Sequence, residues 1–189
     1  MKWNDVEPDI SEVCINELTT GWSAIDVVSL VSTTKETPFV ILPDHVREKI
    51  INHLQSKNVE LGGLLVGSVI SIDDLNDGLI AIVIKESVAS HDFDSTSVSL
   101  SMNPTVWQSA NQIGNAKTFV VGWYHSHPSL GAFFSGVDRK TQKDFFNSAY
   151  NLGLVIDPIR NEEKWFIGGE SIAVNSSNVR SDLNGLAVV

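Results

Sequence analysis

Apolar residues in this chain come in short runs of strand length, divided by polar turns and by three stretches of helical spacing. Phe39-Val40-Ile41-Leu42 is an unbroken apolar run and predicts a buried strand. Pro43-Asp44 then opens a helix in which Val46, Ile50 and Leu54 recur every fourth residue, giving a single apolar stripe. Val59 to Gly67 predicts a second buried strand, and its Gly62-Gly63 pair marks a place where another backbone, or a ligand, comes close. Residues 73–78 carry good turn chemistry, and Leu79 to Ile84 is the next strand. Residues 87–101, rich in Ser, Thr and Asp, read as a flexible loop that resolves into a strand at Val98 and Leu100. Pro104 opens a second helix with Val106, Trp107, Ala110 and Ile113 on one face, and Gly114 ends it. Thr118 to Tyr124 is a strand, and a third helix is predicted from Gly136 to about Tyr150. Leu152 to Ile156 and Lys164 to Ile167 close the pattern around a turn at Asp157-Pro158. Strands mixed with three helices, without strict alternation, predict an α+β domain of α-β-α layers.

The two ends are less patterned. Ile25 to Val31 has the look of a strand and Thr33 to Thr37 that of a connector, so the N-terminal segment is expected to be an added edge element or a partner-docking arm. From Gly168 the chain is polar and then turns apolar at Leu186 to Val189.

At 189 residues one domain is expected, and an apolar content of 42% is enough for its core. The formal net charge of −10 opposes binding to phosphate backbones, so no nucleic-acid partner is expected. Cys14 is the single cysteine, so neither an internal disulfide nor a cysteine-based zinc knuckle is available, as suits a reducing cytosol. The first residues lack the basic-then-apolar pattern of a signal peptide. No apolar run approaches the roughly 20 residues needed to span a bilayer. A soluble cytoplasmic protein with no membrane partner is expected.

The candidate chemistry lies at the end of the run Gly122-Trp123-Tyr124-His125-Ser126-His127-Pro128. On a strand, side chains two apart share a face, so His125 and His127 aim both imidazoles at one point. Asp138 supplies a third ligand from the next element. Two neutral nitrogens and one carboxylate leave one corner of a tetrahedral zinc free for water, the pattern of a catalytic rather than a structural ion. Each member also has an ordinary explanation. Paired histidines occur at strand ends without a metal. Ser135-Gly136-Val137-Asp138 reads as a capping box at a helix start, which does not prevent Asp138 from facing a metal. Glu60, alone, is a solvated strand-end acid, but Val59 and Leu61 set it at the edge of a core, where burial raises a carboxyl toward the range of a useful base. His45 and His53 fall toward the solvent side of the first helix, His91 in the polar loop, and Trp107 and Trp123 read as packing residues.

Glu60, then His125-x-His127, then Ser135 and Asp138, resembles the full motif of the JAMM (MPN+) zinc metalloprotease family. Glu60-Leu61-Gly62-Gly63-Leu64-Leu65-Val66-Gly67 is similar to that family's glutamate-bearing strand. The segments around His125 and Ser135 look like its deubiquitinating branch, and Val155-Ile156-Asp157-Pro158 resembles the strand that follows. The likeness covers about residues 38–168 as a catalytic domain, leaving 1–37 as an N-terminal extension and 169–189 as a C-terminal tail. It implies a cytidine-deaminase-like core sheet with flanking helices. It implies one zinc ion held by His125, His127 and Asp138, with Glu60 as the base and Ser135 as an oxyanion donor. The implied reaction is cleavage after the C-terminus of ubiquitin or a ubiquitin-like protein, in its conjugates or its precursor, by a chain that waits for an activating partner subunit or acts alone. Residues 89–97 sit where the family places a substrate-gripping insertion, beside which a substrate tail would add as a strand. A second, structural zinc found in some relatives lacks room and ligands here. Two other functions compete. One is a non-catalytic MPN scaffold, which such ligands argue against. The other is a related hydrolase of DNA repair or of cell-wall and phage-tail processing, which the acidic charge and the missing signal peptide weaken.

Overall fold

The fold is that of a computed structural model, which describes residues 8–12, 23–24, 28, 32, 34, 37–71, 78–90 and 104–182. In chain order the elements are β1 (Ser11–Glu12), β2 (Phe39–Ile41), α1 (Asp44–Gln55), β3 (Gly62–Ser71), β4 (Leu79–Ala89), α2 (Pro104–Ile113), β5 (Phe119–Ser126), α3 (Gly136–Phe145), β6 (Leu152–Asp157), β7 (Glu162–Ile167), β8 (Ile172–Ala173) and β9 (Val179–Arg180), with a 3-10 turn at Ser176–Asn178. All the strands join one mixed sheet in the order β8-β7-β6-β5-β3-β4-β2-β9, and β1 lies beside β3. Helices cover both faces, so the expected α+β layering is what the chain adopts. Val46, Ile50 and Leu54 of α1 pack on one face with Leu65, Val69, Ile82, Val121, Tyr124 and Leu154. Val106 and Ala110 of α2 pack on the other with Leu64, Val66, Trp123, Phe134, Phe146 and Val155. Among the described residues no helix is long and apolar enough to cross a membrane.

The centre of the sheet is β3, and both of its neighbours carry an extra residue at nearly the same level. Along β5, Gly122 pairs with Leu65 while Val120 pairs with Val66, so Val121 is the surplus residue. Along β4, Glu86 pairs with Val66 while Ile84 pairs with Gly67, which leaves Lys85 over. A bulge of this kind reverses which side chains face which side. Val121 therefore points toward α1, whereas Trp123, two residues on, points toward α2.

Several expected boundaries shift. Strand β3 begins at Gly62 rather than Val59, because Ser56 to Val59 form bends and Val59 is exposed. Strand β4 continues through Ser87, Val88 and Ala89, where a loop was expected. Those residues pair with Leu65, Leu64 and Gly63, and main-chain bonds are indifferent to a polar side chain. The strand expected at Val98 and Leu100 lies outside the described residues. Helix α3 stops at Phe145, short of Tyr150, since Phe146 leaves helical geometry and is buried in the core beside Trp107 and Trp123. Val28 is helical and exposed, which contradicts the strand expected there, since an exposed valine gains nothing by pairing; the rest of 25–31 lies outside the described residues. Ile113, assigned to the apolar face of α2, is exposed in its last turn. At the ends, β1 pairs with Ile70 and Ser71 as an added edge element, and β9 pairs with β2.

The Gly62-Gly63 pair meets the expectation of a close backbone. A side chain at Gly63 would put its Cβ 2.2 Å from the Val88 carbonyl oxygen and 2.7 Å from the Tyr124 hydroxyl. Because the first obstacle is main chain, Gly63→Ala is expected to destabilise the protein by about 2 kcal/mol or more. Urea denaturation measures this, and an unchanged midpoint would contradict the close fit.

Candidate metal centre

His125 is the penultimate residue of β5, and the bulge at Val121 turns it to the α2/α3 side of the sheet. Its ring lies flat on Trp123, with centroids 4.4 Å apart and planes 10° from parallel. His127 lies just past the strand, held beside β6 by its N–H donating to the Ile156 carbonyl at 2.9 Å. Asp138 enters from α3. Strand positions 123 and 125 thus face helix positions 142 and 138, spaced by one turn. The Trp123 indole N–H donates to Gln142 Oε1 at 2.7 Å, and the Gln142 amide donates to the carbonyls of Phe146 and Asn151. Both ends of Gln142 are satisfied, as a fully buried amide requires.

Ser135 is the N-cap of α3. Its hydroxyl accepts from the Asp138 N–H at 3.2 Å, and Asp138 Oδ2 accepts from the Ser135 N–H at 2.6 Å. This is the capping box expected from the spacing, and it leaves Asp138 facing both imidazoles. His125 Nε2 is 3.3 Å from Asp138 Oδ1, His127 Nε2 is 3.6 Å from Oδ2, and the two Nε2 atoms are 3.2 Å apart. All three residues are buried. One donor atom from each lies within 4.8 Å of the others, a group that can hold a metal ion. Three tetrahedral ligand atoms about 2.0–2.1 Å from zinc are about 3.3 Å apart; the Nε2 pair and the His125–Oδ1 contact match this, while His127 meets the other carboxylate oxygen. The remaining ring nitrogens, His125 Nδ1 and His127 Nδ1, are buried without a hydrogen-bond partner.

Glu60 precedes β3. The register pairs Gly62 with His125, and carried two residues further it sets Glu60 opposite His127. Ser126, between the histidines and fully buried, ties this junction: its hydroxyl accepts the Leu61 N–H at 3.0 Å, and its own N–H donates to the Leu61 carbonyl at 2.8 Å. Burial raises the Glu60 pKa, the charge of His125 lowers it in part, and the Asp138 carboxylate adds to the rise. Burial and the neighbouring His125 lower that of His127, against the opposing influence of Asp138, Gly131 and Asp157. The five residues that sequence reasoning singled out, Glu60, His125, His127, Ser135 and Asp138, therefore converge at one place. His53, expected on the solvent side, is half-buried with its Nδ1 at 3.0 Å from the Tyr124 hydroxyl, because Tyr124 faces α1 beneath it. His91 and residues 91–97 of the expected insertion lie outside the described residues.

Sequence reasoning missed Ser126, Gln142 and Asp157. Asp157 read only as part of a turn, although a carboxylate before Pro at the end of an apolar strand is a signal in itself. It is fully buried, and it accepts N–H bonds from Ser129, Gly131, Ile159 and Arg160.

A family model described as the JAB1/Mov34/MPN/PAD-1 ubiquitin protease matches residues 36–150, more than half of the chain. COP9 signalosome complex subunit 5 of Debaryomyces hansenii is 41% identical over 59 residues, 30% of this chain and 12% of that protein. The 26S proteasome non-ATPase regulatory subunit 14 of Drosophila melanogaster is 51% identical over 43 residues, and the ubiquitin carboxyl-terminal hydrolase RPN11 of Saccharomyces cerevisiae is 49% identical over 43; each match takes 22% of this chain and 14% of the relative. The chain thus spans only a small part of the length of these relatives. A solution structure of protein DSY2949 from Desulfitobacterium hafniense has a TM-score of 0.49 and 24% identity, over 68% of this chain and 83% of that one.

Burial pushes Asp138 and Asp157 up, but their partners more than offset it. The bond and charge of His125, with the Ser135 bonds, hold Asp138 at about 2. The Gly131, Arg160, Ser129 and Ile159 N–H donors hold Asp157 at about 2. Both lie below the ordinary value of 3.8. A carboxyl depressed by folding adds stability that is complete above its unfolded pKa and is lost as pH falls through the folded one. Urea midpoints of the metal-free protein should hold down to about pH 4 and fall between about pH 4 and pH 2. A flat acid profile would show that these bonds do not stabilise the fold.

Proposed function

The chain belongs to the JAB1/Mov34/MPN/PAD-1 family, and on that premise we propose that it is a zinc-dependent isopeptidase acting after the C-terminus of ubiquitin or a ubiquitin-like protein, in conjugates or in a precursor. The observation that carries the reading is the convergence of two imidazole Nε2 atoms and a buried carboxylate at separations a tetrahedral ion fits, beside a glutamate whose pKa is raised. Residues 38–168 form the catalytic unit in this reading, flanked by the extension 1–37 and the tail 169–189. We assign His125, His127 and Asp138 to the zinc. Zinc, when bound, supplies a Lewis acid that brings the pKa of its water from about 15.7 to near 7.

The chain's own residues do the rest. Glu60, half-buried and raised in pKa, accepts a proton from the attacking water and delivers it to the departing lysine amine. The Ser135 hydroxyl accepts the Asp138 N–H, which leaves its own proton free to donate to the carbonyl oxygen as negative charge gathers there. The Trp123 stack and the Gln142 bond keep the His125 imidazole from turning away. The single cysteine accords with a cytoplasmic setting. The relatives are named as subunits of a signalosome and of a proteasome, which favours a chain that works beside a partner subunit.

Glu60→Gln removes the proton carrier and no ligand. Zinc content by metal analysis should stay at one per chain while cleavage of a ubiquitin-like fusion falls by about 100-fold or more; wild-type turnover would sink the proposed mechanism. Ser135→Ala should lower kcat by about 100-fold with little change in KM, while the lost cap costs about 1 kcal/mol of stability. Stability loss with normal kcat would leave Ser135 as a cap alone.

A further inference from the structure

We propose that Ser126 is a positioning residue for the proton carrier: its buried hydroxyl closes the last rung between β3 and β5 and so fixes Glu60 beside His127. Ser126 has no part in the isopeptidase reading above, on which this inference rests. It alternates with His125 and His127 along the strand, so its side chain leaves the sheet on the face away from the metal centre. Whatever it does for the site passes through the main chain.

The ladder between these strands runs from Gly67 and Phe119 to Gly62 and His125. One step further out, an ordinary antiparallel rung would be closed by two main-chain bonds. Leu61 and Ser126 make only half of it that way. The Ser126 N–H donates to the Leu61 carbonyl at 2.8 Å, but the Leu61 N–H donates to the Ser126 hydroxyl at 3.0 Å. A side chain thus supplies the second half of the rung. Both residues are buried, so without the hydroxyl the Leu61 N–H would be left unpaired in the interior.

The consequence falls on Glu60. Residues 56–59 form bends and Val59 is exposed, whereas Leu61 packs in the core under α1. Leu61 is therefore the anchor next to Glu60. The Ser90 N–H on the Gly62 carbonyl ties the other edge of the strand, one residue further from Glu60. Because Leu61 and Ser126 exchange bonds, the next pair outward, Glu60 and His127, falls at a non-hydrogen-bonded position, where opposing side chains stand closest. A proton carrier works only within hydrogen-bond reach of the attacking water, and a misplacement of about 1 Å costs up to about 100-fold in rate.

Ser126→Ala removes the acceptor and leaves the main-chain half of the rung and the three residues assigned to zinc. In the zinc-loaded full chain, kcat for a ubiquitin-like fusion should fall by about 10-fold, with KM and zinc affinity unchanged. On the Glu60→Gln background the same substitution should slow turnover no further, since the group it positions is gone. A general structural loss would slow both backgrounds alike. That result overturns the proposal, as does a Ser126→Ala variant as fast as wild type, and either leaves the zinc reading standing. A wild type that cleaves nothing overturns both. Amide exchange followed by NMR gives a readout without turnover. The Leu61 N–H should exchange at least about 10-fold faster in Ser126→Ala, while the His127 N–H, bonded to the Ile156 carbonyl, stays slow. Equal Leu61 rates in the two proteins overturn the proposal. Should Ser126→Ala not fold, replacing Leu61 by its α-hydroxy acid removes the same bond from the other end. There kcat should fall in like proportion, and wild-type turnover overturns the proposal.

Discussion

The side of the sheet on which the histidines emerge is decided by one surplus residue. Because Val121 has no partner on β3, the alternation of β5 slips by one, and Trp123 and His125 turn away from α1 toward α3. Without that slip His125 would point into the aliphatic core under α1, and Asp138 would have nothing to face. The matching surplus at Lys85 in β4 keeps the outer strand in step with the inner one, since Val88 and Trp123 both flank Leu64 on the same side.

With the face chosen, α3 does two things with one side chain. Asp138 satisfies the helix start through Oδ2 and meets His125 through Oδ1. A buried carboxylate is costly unless it is bonded and paired, and here the cap supplies the bonds and the imidazoles supply the pairing. Since the capping box fixes the first turn, the carboxylate cannot move without unwinding it. One turn later Gln142 locks Trp123, the surface on which His125 lies. Strand and helix therefore hold each other at two rungs, one inert and one chemically active.

Much of this was legible in the sequence, and the reason is local. The i, i+2 spacing of His125 and His127, the Ser135-to-Asp138 spacing of a capping box, and the fourfold repeat of Val46, Ile50 and Leu54 are short-range patterns that fold into what they advertise. What escaped depended on distant partners. Ser87 and Ser90 look like loop residues, yet Ser87 lies on a strand and the Ser90 N–H bonds the Gly62 carbonyl, because the main chain of β3 is waiting for them. The bulge at Val121 leaves no mark in an unbroken apolar run. Asp157 reads as a turn former because the loop it holds is a long way back in the chain. Tyr124 draws His53 inward for the same reason: the contact exists only once β5 lies under α1.

The edge of the sheet farthest from β8 carries one more consequence. The Asn178 amide donates to the main-chain and side-chain oxygens of Thr37, and β9 then runs alongside β2. The polypeptide between these two points is a closed excursion that leaves and returns at a single seam. Units built this way can be set into a longer chain like a cassette. The seam lies strands away from β5, so whatever is joined there need not crowd the approach to the buried histidines.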